Sequence, residues 1–334
     1  MNEIEIKYCP GTLSKGFNTY SRSALKRLFS GTTVSHILPY YAPQNDIDGE
    51  KFIENRKRIS ISGVQEKVSL ILEDKVLHLT DKGEHGTYIL KPIPRDLKKI
   101  DQVPANEHLT MQIANQVYKI PTAANALIFF KGGESAYITK RFDIKDDGTN
   151  WSQEDFASLA GKTIENKGVN FKYDYSYEEM AELIFKYVPA YMVEMEKFFA
   201  IIIFNYLFSN GDAHLKNFSL LESLSGDYLL SPAYDLINTS IHVNDSDFAL
   251  NRGLFADNYK SPVRQRTNHA GLKDFMEFSQ RIGIKEKRAE KIIQPFITRQ
   301  QKVEKLIDSS FLSTPVKKQY LIDYNTKLKR LNQK

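Results

Sequence analysis

The stretch Ser209-Asn210-Gly211-Asp212-Ala213-His214-Leu215-Lys216-Asn217-Phe218-Ser219 decides the fold. It follows directly on the apolar run Phe198 to Phe208 and leads into a second one, Phe218 to Leu221. A polar loop pinned between two buried elements suits catalysis, because the scaffold fixes its side chains and still leaves them in reach of a substrate. Asp212 and, five residues later, Asn217 have the spacing of a phosphotransferase catalytic loop. In such a loop the aspartate accepts or orients the acceptor hydroxyl, and the asparagine amide oxygen ligates Mg²⁺. Asp235, eighteen residues beyond Asn217 in Ser231-Pro232-Ala233-Tyr234-Asp235-Leu236, reads as a strand-end carboxylate where a second metal ligand belongs. Singly, these residues read more simply as an Asx-capped turn and a helix N-cap. Their combination with the upstream segments favours a site.

Those segments come in a matching order. Lys91 ends the strand Thr87-Tyr88-Ile89-Leu90-Lys91, and a lysine whose stem is held in a sheet can reach the α and β phosphates of ATP as a fixed point charge. Glu107, in Asn106-Glu107-His108, opens a helix and is placed to pair with Lys91. Ile138-Thr139-Lys140-Arg141-Phe142-Asp143 then forms a connection whose backbone can meet an adenine edge, with Phe142 packing nearby. Taken alone, these are a surface lysine, a first-turn helix acid and a strand end with a solvated basic pair. Ser60-Ile61-Ser62-Gly63-Val64-Gln65-Glu66-Lys67 precedes the first hairpin and would lie over the phosphates. Its single glycine fits neither G-x-G-x-x-G nor G-x-x-x-x-G-K-[ST].

Around these motifs the pattern changes near residue 145. Short β-type runs come first, at Lys67 to Leu72, Val76 to Thr80, Tyr88 to Leu90, Asn125 to Phe130 and Ala136 to Thr139, with Glu73-Asp74-Lys75 as a turn. One helix interrupts them at about Ala105 to Val117, where Leu109, Ile113 and Val117 share a face. After the turn Asp146-Asp147-Gly148 the chain reads as helical: Tyr177 to Val188, Ala190 to Ser209, Leu272 to Ile282, and two or three more after Lys285. The expectation is an α+β, bilobal, protein-kinase-like fold. A small β-rich lobe spans 1–145 and a larger α-helical lobe spans 146–334. The first fifty residues say least, with Ser14 to Phe29 as a short helix and Thr32 to Ile47 irregular.

Composition closes off other classes. With 41% hydrophobic and 26% charged residues among 334, the chain is neither disordered nor low-complexity. Its one cysteine, Cys9, excludes an internal disulfide and a Cys-based zinc site and points to a reducing compartment. The first residues lack the pattern of a signal peptide, and the longest apolar run, broken by Asn205, is too short to span a membrane, so the expected location is cytoplasmic. The formal charge of +5 is concentrated in residues 285–334, which hold 13 Lys and Arg against 5 Asp and Glu. A solvated helix face explains that better than nucleic-acid binding, since no recognition motif accompanies it.

The ordered set of motifs resembles the HipA family of serine/threonine kinase toxins. The match rests on Arg58-Ile59-Ser60-Ile61-Ser62-Gly63-Val64-Gln65-Glu66-Lys67, on Ile89-Leu90-Lys91 with Asn106-Glu107, on Arg141-Phe142-Asp143, and on Gly211 to Ser219 with Tyr234-Asp235. The resemblance implies Asp212 as catalytic aspartate, Asn217 and Asp235 on Mg²⁺, and Lys91 on the phosphates of ATP with Glu107 beside it. It further implies Gly63, Val64 and Gln65 in the phosphate-covering loop, Lys140 and Phe142 backbones at adenine, and His214 lining the nucleotide site. Ser60 falls at the family's autophosphorylated serine. Ser62 adds a second hydroxyl, as in the shorter HipT-like branch. Lys140 stands where better-known members have glutamate, which spares a backbone contact and removes a side-chain one. Full-length members also carry a longer stretch before the serine loop, which implies a small separate protein in place of that N-terminal subdomain. The implied partners include a helix-turn-helix antitoxin, with DNA reached only through it.

The reading that follows is an ATP- and Mg²⁺-dependent serine/threonine protein kinase of a toxin-antitoxin system, autophosphorylating and acting on a cytosolic protein; in the family the targets are aminoacyl-tRNA synthetases. Two alternatives stay open: a small-molecule phosphotransferase, which shares the Asp-x-x-x-x-Asn loop, and a catalytically silent scaffold for a DNA-binding antitoxin.

Overall fold

The computed structural model describes residues 6–43, 66–81, 83–94, 97–145 and 147–333. They divide into two compact units. One comprises the described residues of 1–112, 123–142 and 304–317, and the other comprises those of 113–122, 143–303 and 318–334. The chain passes from one to the other at 112/113, 122/123, 142/143, 303/304 and 317/318. The segments 113–122 and 304–317 each join the unit that sequence order alone would not give them.

The first unit is built on a five-stranded antiparallel sheet in the order β2-β1-β3-β5-β4. The strands are β1 (Val68–Glu73), β2 (Val76–Leu79), β3 (Tyr88–Lys91), β4 (Asn125–Phe129) and β5 (Ser135–Lys140). Glu73 pairs with Val76 across a two-residue turn in which Asp74 (φ 47°) and Lys75 (φ 67°) both take left-handed backbone, the geometry that matches the twist of a tight hairpin. Successive side chains in a strand point to opposite faces. Leu70, Leu90, Ala126, Ile128, Ala136 and Ile138 therefore enter one core, closed by Tyr20, Leu28 and Phe29. The helix Arg22–Phe29, capped by Ser21, supplies the last two. Lys91, next to Leu90, must then face the other way, where it meets Tyr137, its partner in register on β5.

The helix on this second side runs Val103–Gln116, two residues earlier at its start than the periodicity suggests. Pro104 near its N-terminus explains the difference, because proline lacks the amide hydrogen that the first turn does not use. Glu107 consequently lies in the second turn, not the first.

The second unit is mainly helical. Helix Tyr177–Tyr187 starts with a reciprocal cap, Ser176 and Glu179 each accepting the other's backbone N–H. Helix Tyr191–Leu207 is apolar almost all round and buried over its C-terminal half. On or beside it Tyr206 packs with Phe248 and Phe275, Phe208 with Phe204 and Tyr324, and Phe198 with Phe156 and Phe218. The basic C-terminal region forms helices Glu286–Ile297, Gln301–Ser309 and Thr314–Leu331. A small antiparallel sheet, β6 (Gln153–Asp155), β7 (Ser219–Glu222) and β8 (Tyr228–Leu230), carries the chain out of the polar loop. Asp235 is not at the end of a strand. It lies five residues past β8, with φ 55°, a positive value uncommon outside glycine, asparagine and aspartate. No described helix is long and apolar enough to cross a membrane.

Candidate active site

Asn210, Ala213, His214, Leu215 and Phe218 are buried, whereas Asp212, Lys216 and Asn217 are partly exposed, so the buried residues anchor the segment and leave these three in reach of solvent. Hydrogen bonds hold almost every turn of its backbone. Asn210 donates its N–H to Asn205 O at 2.8 Å and its side-chain amide to Asn205 Oδ1 at 2.9 Å. Asn205, the interruption in the apolar run, is thus a buried clamp on the loop. Gly211 N donates to Thr239 Oγ1 at 2.8 Å, and Tyr177 OH donates to Ala213 O at 2.9 Å. Glycine is required at 211 because a Cβ there would stand 2.5 Å from Asp245 Cβ and 2.8 Å from Ser246 O.

Asp212 is oriented by a residue that no sequence pattern singles out. Tyr173, in a 3-10 turn Phe171–Tyr173, donates its hydroxyl to Asp212 Oδ1 at 2.7 Å and sets its ring edge-on to His214 at 5.2 Å. Burial holds the Asp212 carboxyl above its ordinary range; the Tyr173 hydroxyl and Lys172 oppose the rise, and Asp235 adds to it. His214 is buried with Nε2 3.9 Å from Asp212 Oδ1. Burial first and the Lys172 charge second bring its imidazole down to about 3, so it is neutral at pH 7.

Asn217 and Asp235 are brought together. Asn217 Nδ2 donates to Asp235 Oδ2 at 3.4 Å, and its Oδ1 accepts the His214 N–H at 3.1 Å, which leaves that oxygen a second lone pair. Among the described residues no group of three His, Cys, Asp or Glu could hold a metal alone. A carboxylate and an amide oxygen side by side nevertheless suit a hard cation such as Mg²⁺, which takes few protein ligands and completes its shell from water and phosphate.

In the first unit Lys91 Nζ lies 2.6 Å from Glu107 Oε1, with side chains 3% and 2% exposed, and 5.2 Å from the Tyr137 ring centroid. Lys140 ends β5. Its N–H is donated to Ala124 O at 2.8 Å and its Nζ to Ser30 Oγ at 3.0 Å, so its carbonyl is the backbone group left for a ligand. Phe142 follows two residues later, at the last position of this unit's segment 123–142. Ser60, Ser62, Gly63, Val64 and Gln65 lie outside the described residues.

Comparisons with known proteins agree with one another. The family model "HipA-like C-terminal domain" matches residues 59–303. A Haemophilus influenzae protein named "Putative kinase" is 28% identical over 99% of this chain and 98% of its own length. Two Sinorhizobium fredii proteins of the same name, with the suffixes Y4mE and Y4dM, are 29% and 30% identical; they cover 54% and 58% of this chain, which matches 43% and 48% of theirs. Among solved structures, HipA from the Shewanella oneidensis MR-1 complex of HipA, HipB and operator DNA aligns with TM-score 0.62 at 20% identity, over 86% of this chain and 66% of its own. The Helicobacter pylori proinflammatory kinase CtkA aligns with TM-score 0.52 at 16% identity, over 78% of this chain and 90% of its own. The architecture is therefore kinase-like.

Proposed function

The chain belongs to the family of HipA-like C-terminal domains, and from that premise we propose that it is a protein kinase transferring the γ-phosphoryl group of ATP to a serine or threonine. The observation that carries this reading is the arrangement of Asp212, Asn217 and Asp235 on a backbone-clamped loop. Phosphoryl transfer needs little covalent participation from protein; it needs an oriented acceptor, a cation and fixed charge at the phosphates. Asp212 Oδ1 is held by Tyr173, and its second oxygen receives the acceptor hydroxyl. Asn217 and Asp235 hold Mg²⁺, which neutralises charge developing on the transferring group. Lys91, oriented by Glu107, contacts the phosphates, while the Lys140 carbonyl and the Phe142 backbone meet adenine. His214 lines the nucleotide pocket as a neutral ring.

The segment 58–67 supports autophosphorylation at Ser60 or Ser62. Phosphate there places about −1.5 to −2 charge beside ATP's own and lowers its affinity. The resemblance also supports a helix-turn-helix antitoxin, a small protein completing the N-terminal side and an aminoacyl-tRNA synthetase as the class of substrate. Incubation with γ-labelled ATP and Mg²⁺ tests the core of this reading. Label on the chain or on added protein, absent in Asp212→Ala, supports it. Label only on added small alcohols makes the enzyme a small-molecule phosphotransferase, and no label at all leaves a silent scaffold.

A further inference from the structure

A cavity of about 500 Å³ in the helical unit shares a wall with the catalytic loop. Asp245 and Ser246 line it, and these are the residues against which Gly211 packs without a side chain. Four cationic or titratable nitrogen side chains also line it: Arg252, Lys260, Arg264 and His269.

Two of these are already matched to carboxylates. Arg252 Nη2 lies 2.8 Å from Glu179 Oε2, and His269 Nδ1 lies 2.8 Å from Asp247 Oδ2. Asp247, the second acid on the wall, is saturated: Lys327 Nζ at 2.5 Å and Arg330 Nη1 at 3.3 Å take its other oxygen. Lys260 and Arg264 face no carboxylate within ion-pair distance among the described residues. Lys260 is exposed. Arg264 is half-buried, its guanidinium 5.4 Å above the Phe248 ring, so stacking fixes the plane of its hydrogen-bonding fork. A planar fork held in advance loses little entropy on binding a carboxylate in two-point fashion, and partial burial spares the pair the screening that weakens surface ion pairs.

We propose that this cavity receives a carboxylate-bearing segment of the acceptor protein, Arg264 and Lys260 pairing with its Asp or Glu side chains while its hydroxyl lies at Asp212. The proposal rests on the protein-kinase reading and adds a substrate class to it: acceptor sites flanked by acidic residues. A nucleic acid fits the cavity less well, because phosphate backbones are bound along stripes of many cations, and here two are uncommitted.

The test is fluorescence anisotropy with the full chain, without ATP, using a labelled serine peptide flanked by glutamates and the same peptide with glutamines. The acidic peptide is expected to bind at least about tenfold more tightly, a difference of about 1.4 kcal/mol. Arg264→Gln and Lys260→Gln should each remove about threefold or more of that preference, and Lys291→Gln, a charge-matched change on helix Glu286–Ile297, should remove none. Lys260 is exposed and unpaired, so its variant tests the idea even if loss of the Arg264 stack disturbs folding. Equal binding of the two peptides, wild-type preference in both variants, or tighter binding of a single-stranded oligonucleotide of equal charge would overturn the proposal. The peptide readout needs no phosphoryl transfer. Discrimination that survives in a chain inert toward ATP upholds the cavity and sinks the kinase reading, whereas transfer without discrimination does the reverse.

Discussion

Two clusters of ionisable side chains, one in each unit, are assembled in opposite ways. In the sheet unit a cation and an anion, Lys91 and Glu107, meet at 2.6 Å and are almost wholly withdrawn from water. In the helical unit two carboxylates, Asp212 and Asp235, lie near enough that each raises the cost of ionising the other, and both remain half-exposed. The first cluster satisfies itself and forms part of its unit's framework. The second is relieved only in part, by the Tyr173 hydroxyl and Lys172 at Asp212 and by the Asn217 amide at Asp235. Opposite and like charge are thus separated in the molecule, a buried ion pair in one unit and partly relieved carboxylates in the other.

The separation can be attacked in order of expected effect. Asp212→Ala should lower phosphoryl transfer by about 10²- to 10⁴-fold while the urea midpoint holds or rises; a midpoint that falls along with activity would mean that Asp212 is part of the framework after all. Lys91→Met should act the other way. It leaves the Glu107 charge buried without its partner, and equilibrium unfolding should record a loss of about 3–5 kcal/mol, largely restored in Lys91→Met/Glu107→Leu. No recovery in the double variant would show that the cost lies in packing. Asp235→Asn relieves the like charge and should raise the ligand-free melting temperature slightly. It should also abolish the Mg²⁺-ATP stabilisation, about 2.7 kcal/mol for the wild type at a hundredfold excess over Kd. A wild-type Mg²⁺ response in that variant would remove Asp235 from the metal site.

Tyr173→Phe is the finest probe. The Tyr173 hydroxyl pulls the Asp212 pKa downward against burial, so without it the carboxyl rises further and is ionised only at higher pH. The acid limb of the pH profile of kcat/KM should therefore move to higher pH, with a loss of about three- to tenfold on the plateau, the net worth of one typical hydrogen bond. An unmoved limb would show that Tyr173 does not hold the charge.

The same contrast explains what the sequence shows and what it hides. The hairpin over β1 and β2 is legible because its strands alternate and its turn is two residues long. Asp212 and Asn217 are legible because both lie on one short loop whose flanks are apolar. Lys91 and Glu107 stand 16 residues apart, yet each sits on a strongly patterned element. By contrast β6 and β8, with three residues each, are too short for a period to register, and helices Phe156–Leu159 and Ile164–Lys167 are single turns. Tyr173 is 39 residues from Asp212 on an irregular segment and is one of 18 tyrosines, so only tertiary contact identifies it. The left-handed backbone at Asp235 has no sequence signature, because aspartate's tolerance of that conformation is too slight a preference to mark one position.

The clamped loop has a consequence for amide exchange. The backbone N–H groups of Asn210, Gly211, Asp212, His214 and Asn217 are donated to Asn205 O, Thr239 Oγ1, Asn210 Oδ1, Asp212 O and His214 O. A segment with no regular secondary structure across Asn210 to His214 thus protects its protons as a helix does, and they exchange with solvent deuterium only when the surrounding core opens. These hydrogen bonds fix the chain on either side of Asp212, so a ligand meeting its carboxylate need not order the backbone that carries it.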